Sequence, residues 1–216
     1  MQALHGSLVA LVTPMSLNGD IDYVSLEKLI EWHIAEGTNG IVSVGTTGES
    51  STLNPIEHLD VIDFTVKHVN KRIPVIAGTG ANSTQEAIEL TQESKKLGSD
   101  YALLVTPYYN KPNQRGLIAH YEAVADSVDI PQILYNVPSR TACDLLPSSV
   151  QVLSEHKNIV GIKEALDSMD RIKELVKISS HASNNFSIYS GDDPTFMESL
   201  TLGAHGVISV SYTHLT

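Results

Sequence analysis

The stretch from residue 40 to residue 80 reads GIVSVGTTGESSTLNPIEHLDVIDFTVKHVNKRIPVIAGTG and contains one complete strand–helix–strand unit. Its two terminal runs are continuously apolar rather than alternating, which is typical of strands buried on both faces of a parallel sheet. Between them, Asn54 and Glu57 have the spacing of a capping box, with a proline in the first helical turn. Ser83 and Glu86 repeat that spacing at the start of the next helical pattern. The stretch therefore predicts a βα unit of the kind that builds parallel sheets and barrels.

The same unit recurs along the whole chain, as eight apolar strand candidates separated by seven helical patterns. The strand candidates are 6–14, 40–50, 73–80, 101–110, 131–138, 158–165, 186–193 and 206–210. The helical patterns cover 22–37, 54–69, 83–98, 114–127, 147–155, 168–178 and 194–202. This order favours an α/β fold of the (β/α)8 TIM-barrel type. The alternative is an open doubly wound sheet, which would usually carry a glycine-rich phosphate loop where this chain has Val12-Thr13-Pro14.

The composition limits the classes of function. A net charge of -11, from 14 Lys and Arg against 25 Asp and Glu, disfavours a nucleic-acid binder because an acidic chain repels phosphate. No apolar run reaches the roughly 18 residues that span a bilayer, and no export signal is recognisable, so we expect a cytoplasmic protein without a membrane partner. The single cysteine, Cys143, cannot form an internal disulfide. The nine histidines form no HxH or HExxH motif, so we expect no metal site.

The active site of a TIM barrel lies at the C-terminal ends of its strands, where Lys163 ends the strand candidate 158–165. Burial disfavours the charged form of a lysine, so its pKa would fall toward the working pH. A neutral amine can attack a carbonyl carbon and form a Schiff base. A solvated lysine at a strand end is the competing interpretation. We expect Gly161 to favour the first, because a residue without a side chain leaves room for a ligand.

Other strand ends supply further candidates. Tyr135 could relay protons with the hydroxyl of Thr46 as its partner, although core packing explains a buried tyrosine equally well. Thr47 could bind a small carboxylate within the turn Gly45-Thr46-Thr47-Gly48, or that segment could be a plain turn. Arg140 could clamp a second carboxylate, or it could be a surface arginine. We expect the Asp192-Asp193 pair to cap the following helix rather than bind a cation.

Six motifs occur together in a fixed order: GIVSVGTTGES at 40–50, VTPYYNKP at 105–112, YNVPSRT at 135–141, GIKEA at 161–165, YSGDD at 189–193 and GVISV at 206–210. With them, residues 1–210 resemble the dihydrodipicolinate synthase family, a branch of the class I aldolases that also include N-acetylneuraminate lyase. The resemblance implies a lyase that condenses pyruvate with L-aspartate 4-semialdehyde to 4-hydroxy-tetrahydrodipicolinate, at the start of the diaminopimelate and lysine branch.

The resemblance also implies roles for individual residues. Lys163 forms the imine with pyruvate, so no separate cofactor is implied. Tyr135 donates and accepts protons, and Thr46 and Tyr109 complete the relay, with Tyr109 reaching in from the neighbouring subunit of a homotetramer built as a dimer of dimers. The pyruvate carboxylate is held by Thr47 and by the backbone near Ile208, and the carboxylate of aspartate semialdehyde is held by Arg140.

An inhibitory site for L-lysine at the subunit interface is a further implication of the resemblance. The matching positions are Ser50, Ser51, His58, Asn82, Glu86 and Tyr108. The pairing of His58 with Glu86 fits family members that lysine inhibits, whereas Pro55 departs from their pattern.

The chain is shorter than members of this family. The resemblance implies that residues 1–210 form the catalytic barrel without its last helix and without a C-terminal helical segment, and that the tail SYTHLT at 211–216 is foreign to it. Two other functions remain open. One is a sister pyruvate aldolase acting on sialic acid or a keto-sugar acid, which Arg140 disfavours because it supplies a cation for a second carboxylate. The other is a catalytically silent fragment that only binds ligand or self-associates.

Overall fold

The computed structural model describes residues 4–213 and contains a closed barrel of eight parallel strands in chain order. Each strand pairs with the next, and the last strand pairs with the first through Gly6–Gly206 and Leu8–Ile208. The strands are β1 Gly6–Ala10, β2 Gly40–Ser43, β3 Val75–Gly78, β4 Tyr101–Val105, β5 Gln132–Asn136, β6 Ile159–Glu164, β7 Ser187–Ser190 and β8 Gly206–Ser209. The predicted TIM barrel is confirmed, and the open doubly wound sheet is wrong.

All seven predicted helices are present between the strands. The helices are α1 Tyr23–Ala35, α2 Pro55–Val69, α3 Thr84–Leu97, α4 Gln114–Ser127, α5 Pro138–Thr141, α6 Pro147–Leu153, α7 Met169–His181 and α8 Phe196–Thr201. The sequence did not predict α5, because one helical turn is too short to show an apolar period. Two single turns of 3-10 helix cover Asp193–Thr195 and Ser211–Thr213.

Of the two predicted capping boxes, the one at α2 is complete and the one at α3 is not. At α2, the Asn54 side chain accepts hydrogen bonds from the backbone N–H of Glu57 at 3.0 Å, and the Glu57 carboxylate accepts one from the Asn54 N–H at 3.0 Å. At α3, the Ser83 hydroxyl accepts from the Glu86 N–H at 3.3 Å, but the described residues show no return bond. The second box is therefore only half formed. The Glu86 side chain instead lines a cavity outside the barrel.

Two layers of apolar side chains surround the barrel wall. The inner layer fills the barrel and includes Leu8, Ile76, Leu103, Tyr189 and Ile208, all almost completely buried. The outer layer lies between the strands and the helices, and it is formed by residues of the opposite strand face together with the apolar stripes of the helices. This packing fixes the strand ends, so the side chains at the top of the inner layer have a rigid support.

The segment after β8 packs against the start of the chain. Tyr212 lies edge-on to the His33 ring with 4.7 Å between ring centroids, and its hydroxyl accepts a hydrogen bond from the Val12 N–H at 2.6 Å. The remainder of the predicted tail, 214–216, lies outside the described residues, as do residues 1–3. In the part of the chain that the structure describes, no helix is both long enough and apolar enough to cross a membrane.

Candidate active site

Lys163 and Tyr135 meet at the C-terminal mouth of the barrel. They stand directly opposite each other in the register of β5 and β6, and the Lys163 Nζ lies 4.5 Å from the centre of the Tyr135 ring. Their exposed fractions are only 5% and 6%. The interpretation of Lys163 as a solvated lysine is therefore wrong, and the two residues proposed for the chemistry share one buried site.

The environment of Lys163 increases the fraction of its neutral form. Burial and, to a smaller extent, the charge of Arg140 lower the pKa of its amine to about 8, against the opposing charge of Asp193. With this pKa, about a tenth of the amine is neutral at pH 7, compared with less than a thousandth for a lysine in water. The site therefore holds a usable fraction of nucleophile at neutral pH.

Two glycines beside Lys163 differ in what lies next to them, and Gly161 does not have the predicted role of leaving room for a ligand. A Cβ atom on Gly161 would meet the Ser187 carbonyl oxygen at 2.5 Å and the Tyr189 ring at 3.2 Å, so protein atoms fill the space beside it. The expectation that Gly161 leaves room for a ligand is wrong. A Cβ on Gly191, at the end of β7, would meet the Lys163 Cε at 2.7 Å. Gly191 thus admits the lysine itself.

Tyr135 has a polarising partner, as the sequence predicted. Its phenol forms a hydrogen bond with the side chain of Thr46, and this bond and the charge of Arg140 both lower its pKa, against a larger rise caused by burial. Thr46 is carried by the loop between β2 and α2, in which Val44 has a φ of +53°. A β-branched residue with a positive φ is strained, which is a feature that clusters at functional sites. Within the same loop, Thr47 is half-buried.

Arg140 is positioned by the helix that the sequence missed. It lies in α5, directly after the strand that carries Tyr135, and it is exposed at the mouth. A hydrogen bond of 3.2 Å from the Thr106 hydroxyl to the Thr141 hydroxyl ties α5 to the end of β4. The charge of the Arg140 guanidinium lowers the pKa of both Tyr135 and Lys163, so Arg140 is more than a remote surface cation.

Tyr109 occupies a strained turn and points away from its own chain. The Asn110 N–H donates to the Tyr108 carbonyl oxygen at 2.9 Å, and Tyr109 between them has a φ of +74°. This is the rare, strained form of the γ-turn. The Tyr109 side chain is 91% exposed. Ile208, by contrast, is 1% exposed in the inner layer, so only its backbone can have the predicted role toward a carboxylate, and that role stays a prediction.

A second cavity, of about 280 Å³, lies outside the barrel between the β2–α2 loop and α3. Five of the six positions predicted to bind lysine line it: Ser50, Ser51, His58, Glu86 and Tyr108. Asn82 is not among its lining residues, and its carbonyl oxygen accepts a hydrogen bond from the Asn110 side chain at 3.0 Å. Glu89 and Glu93, which were not predicted, also line the cavity, although their spacing after Glu86 places all three on one face of α3.

Two predictions remain, one on the Asp192-Asp193 pair and one on metal ions. The Asp192 carboxylate accepts a hydrogen bond from the Thr195 N–H at 3.2 Å and so caps the 3-10 turn before α8, whereas Asp193 accepts a hydrogen bond from the Ser211 hydroxyl; the predicted capping is therefore confirmed for Asp192 only. Within residues 4–213, no three His, Cys, Asp or Glu side chains come together in an arrangement that could hold a metal ion.

Comparison with known proteins identifies close relatives. The model of the dihydrodipicolinate synthetase family matches residues 3–215. The chain is 58% identical to 4-hydroxy-tetrahydrodipicolinate synthase of Pseudomonas savastanoi pv. phaseolicola, over 96% of this chain and 70% of that protein.

Solved structures agree with this finding. Dihydrodipicolinate synthase of Acinetobacter baumannii, described as chloride-inhibited and complexed with pyruvate, is 56% identical with a TM-score of 0.93, over 97% of this chain and 71% of that one. The enzyme of Cyanidioschyzon merolae with lysine bound is 40% identical with a TM-score of 0.91, over 97% of this chain and 71% of that one.

Proposed function

This chain belongs to the dihydrodipicolinate synthetase family, and we propose that its barrel mouth condenses pyruvate with L-aspartate 4-semialdehyde through an imine on Lys163. The product is 4-hydroxy-tetrahydrodipicolinate, and the enzyme is a lyase. The observation that carries the proposal is the buried Lys163 amine with its lowered pKa, 4.5 Å from the ring of Tyr135. No metal or dissociable cofactor is part of the reaction.

In the proposed reaction, Lys163 and Tyr135 at the mouth act in successive steps. The neutral Lys163 amine attacks the keto carbon of pyruvate, and the carbonyl oxygen leaves as water after proton transfers through Tyr135. The resulting imine acidifies the pyruvate methyl group, which loses a proton to give an enamine. The enamine carbon then forms a bond to the aldehyde carbon of the second substrate, whose oxygen takes up a proton. The substrate's own amine finally displaces Lys163, which restores the free lysine and closes the ring.

Charges at the mouth suit two anionic substrates. Pyruvate and aspartate semialdehyde each carry a carboxylate, and Arg140 is an exposed guanidinium beside Tyr135 and Lys163. We assign Arg140 to the semialdehyde carboxylate, because a planar guanidinium can bind it with two hydrogen bonds. Thr47 and the backbone near Ile208 are assigned to the pyruvate carboxylate. A sister aldolase for sialic acid is not favoured by the family match or by this cation.

Tyr109 is assigned to a neighbouring subunit's active site. Its strained γ-turn and its 91% exposure are costly in an isolated chain, and both are explained if the ring enters the mouth of a partner and reaches Thr46. Ile56 at the start of α2 is 73% accessible and is a second large apolar side chain that contact with a partner would cover. We therefore propose a homo-oligomer, a tetramer of two dimers, working in the cytoplasm.

The outer cavity is proposed to bind L-lysine as an inhibitor. Glu86, Glu89 and Glu93 give it an acidic wall, which suits the two amino groups of lysine. His58 also lines the cavity and forms a hydrogen bond with the Gly78 carbonyl oxygen at 2.8 Å. Ser50 and Ser51 supply hydroxyl groups. Pro55 also lines the cavity and supplies no side-chain hydrogen-bond donor, so we expect weaker inhibition than in family members that match the full pattern.

Borohydride trapping tests the proposed function. Reduction in the presence of pyruvate should add a stable adduct to the peptide that contains Lys163, as measured by mass spectrometry. Lys163→Met should abolish the adduct, whereas Lys157→Met, at a solvent-exposed lysine, should not change it. Aspartate semialdehyde added before borohydride should deplete the adduct by turnover, and sialic acid should form none. An adduct on a different lysine of the folded protein would refute the assignment.

A further inference from the structure

The outer faces of β5 and β6 carry a buried polar cluster directly behind the reacting pair. Asn136 stands opposite Glu164, one position beyond Tyr135 and Lys163, and both polar side chains are completely buried. Because successive strand residues point to opposite faces, Asn136 and Glu164 point away from the mouth while their neighbours point into it. We propose that Glu164 is a positioning residue, whose bonds to Asn136 clamp β5 to β6 and so fix Tyr135 against Lys163.

The hydrogen bonds of this cluster join three segments. The Asn136 side-chain N–H groups lie 3.1 Å from both carboxylate oxygens of Glu164 and 2.8 Å from an oxygen of Asp144. The Asn136 amide oxygen accepts from the Leu145 N–H at 2.9 Å, and Glu164 also accepts from the Leu166 N–H at 3.1 Å. The bonds therefore hold both strand ends and the segment that follows the Arg140 helix in one arrangement.

One cation supports the two carboxylates of the cluster. Arg171, on α7, places one guanidinium nitrogen 2.7 Å from Asp144 and another 3.6 Å from Glu164, and its side chain is only 12% exposed. Burial raises the pKa of Glu164 to about 7, against the lowering effects of Asn136 and Arg171. The groups facing Glu164 are donors except for Asp144, which is itself paired with Arg171. The geometry therefore suits the ionised carboxylate.

Stability alone does not account for such a cluster. Replacing a buried charge network by apolar residues of similar volume is often neutral or stabilising, since removing charges from water is costly. Unlike apolar packing, this network fixes the relative orientation of its side chains, because each hydrogen bond has a preferred length and angle. Its partners are the immediate neighbours of Tyr135 and Lys163, whose separation determines whether a proton can be transferred.

The inference rests on the proposed function, and its test separates the two. Glu164→Gln is nearly isosteric but turns an amide group toward the donors of Asn136 and Arg171. We expect the rate of borohydride-trapped imine formation at saturating pyruvate to fall at least tenfold, with the half-saturating pyruvate concentration changed less than threefold. The matched control is Gln132→Met, at a completely buried polar residue at the opposite end of β5, which should leave the rate within twofold.

A double-mutant cycle identifies the route of the effect. If Glu164 acts through Tyr135, then adding Glu164→Gln to Tyr135→Phe should lower the remaining rate less than threefold. A full tenfold loss in that background, or a wild-type rate for Glu164→Gln alone, would overturn the clamp. If Glu164→Gln does not fold, Glu164→Asp keeps the charge and withdraws the carboxylate by one methylene, and the same tenfold loss is expected.

A crystal structure of the variant supplies a readout that needs no reaction. We expect the distance from the Lys163 Nζ to the Tyr135 ring centre to change from 4.5 Å by about 0.5 Å or more. An unchanged distance contradicts the clamp even if the wild-type protein traps no pyruvate. Failure of the wild-type chain to trap pyruvate on Lys163 contradicts the proposed function only.

Discussion

A methyl group added at Gly191 should disturb catalysis far more than folding. Gly191→Ala places a Cβ 2.7 Å from the Lys163 Cε, 3.0 Å from the Ala165 Cβ and 3.1 Å from the Lys163 Cγ. The backbone of Gly191 does not have the left-handed φ that would strain an alanine. The closest clash is therefore with the side chain of the nucleophile itself, which is flexible enough to move, and the contact with the Ala165 Cβ requires a smaller shift.

The size of the effect follows from these distances. To reach an ordinary contact of 3.4 Å, the Lys163 Cε must move by at least about 0.7 Å, and the amine beyond it moves at least as far. A misplacement of about 1 Å can lower a rate by about a hundredfold. We expect imine formation to slow between tenfold and a hundredfold, which is about 1.4–2.7 kcal/mol in activation free energy. An off-rotamer lysine costs only about 1 kcal/mol of stability.

The assay is the rate of borohydride-trapped adduct at saturating pyruvate, with the melting temperature measured on the same samples. Gly116→Ala is the control, since Gly116 lies in the first turn of α4 and its nearest neighbour is the Pro112 Cβ at 3.1 Å rather than the Lys163 side chain. That variant should trap pyruvate at the wild-type rate. A folded Gly191→Ala protein with an unchanged trapping rate would refute the argument, because it would show that the amine need not occupy its observed position.

Four further predictions concern pH, stability and assembly. The initial rate of imine trapping should rise with pH and level off above about 8, because the neutral amine of Lys163 is the reactive form; a rate independent of pH between 6 and 9 would contradict this. Burial lowers the pKa of His120 to about 4, so the folded state takes up a proton less readily than the unfolded state and stability falls as the pH drops from 6.5 toward 4. Between pH 7 and pH 5, urea denaturation should show a loss of stability that is about 2 kcal/mol smaller in His120→Gln than in the wild type, and equal losses in both proteins would rule out this cause. Asn54→Ala should lower the free energy of unfolding by about 1 kcal/mol through the lost cap, whereas an unchanged urea midpoint would show that the box contributes nothing. Mixed Tyr109→Phe and Lys163→Ala chains should regain part of the activity once subunits have exchanged, and no rescue would confine Tyr109 to its own chain.

Much of the site could be predicted because a parallel barrel has simple rules. Strand ends converge at one mouth, so Lys163 and Tyr135 could be placed together from their positions after two apolar runs. The positive φ of Val44 could not be predicted, since nothing in the local sequence favours it for a β-branched residue. Its conformation depends on Gly78, where a Cβ would lie 2.2 Å from the Val44 carbonyl oxygen, and these two residues are far apart in the sequence.

Other features could not be predicted from the sequence because they depend on tertiary contacts. Gly161 and Gly191 look equivalent in the sequence, but only the structure shows which of them lies against the Lys163 side chain. The partners of Glu164 come from other parts of the chain and could not be inferred from spacing. The γ-turn at Tyr109 involves a single residue, and no periodic pattern can reveal it.

The outer cavity and the barrel mouth share a wall made of Ser50 and Gly80, which line both spaces. If the outer cavity binds L-lysine as proposed, this sharing restricts where inhibition can be relieved in a lysine-overproducing strain. Changes in the common wall would then alter turnover together with inhibition, so selection for growth should reject most of them. Glu89 and Glu93 line the outer space and not the mouth, so substitutions there are expected to change lysine binding while turnover is kept.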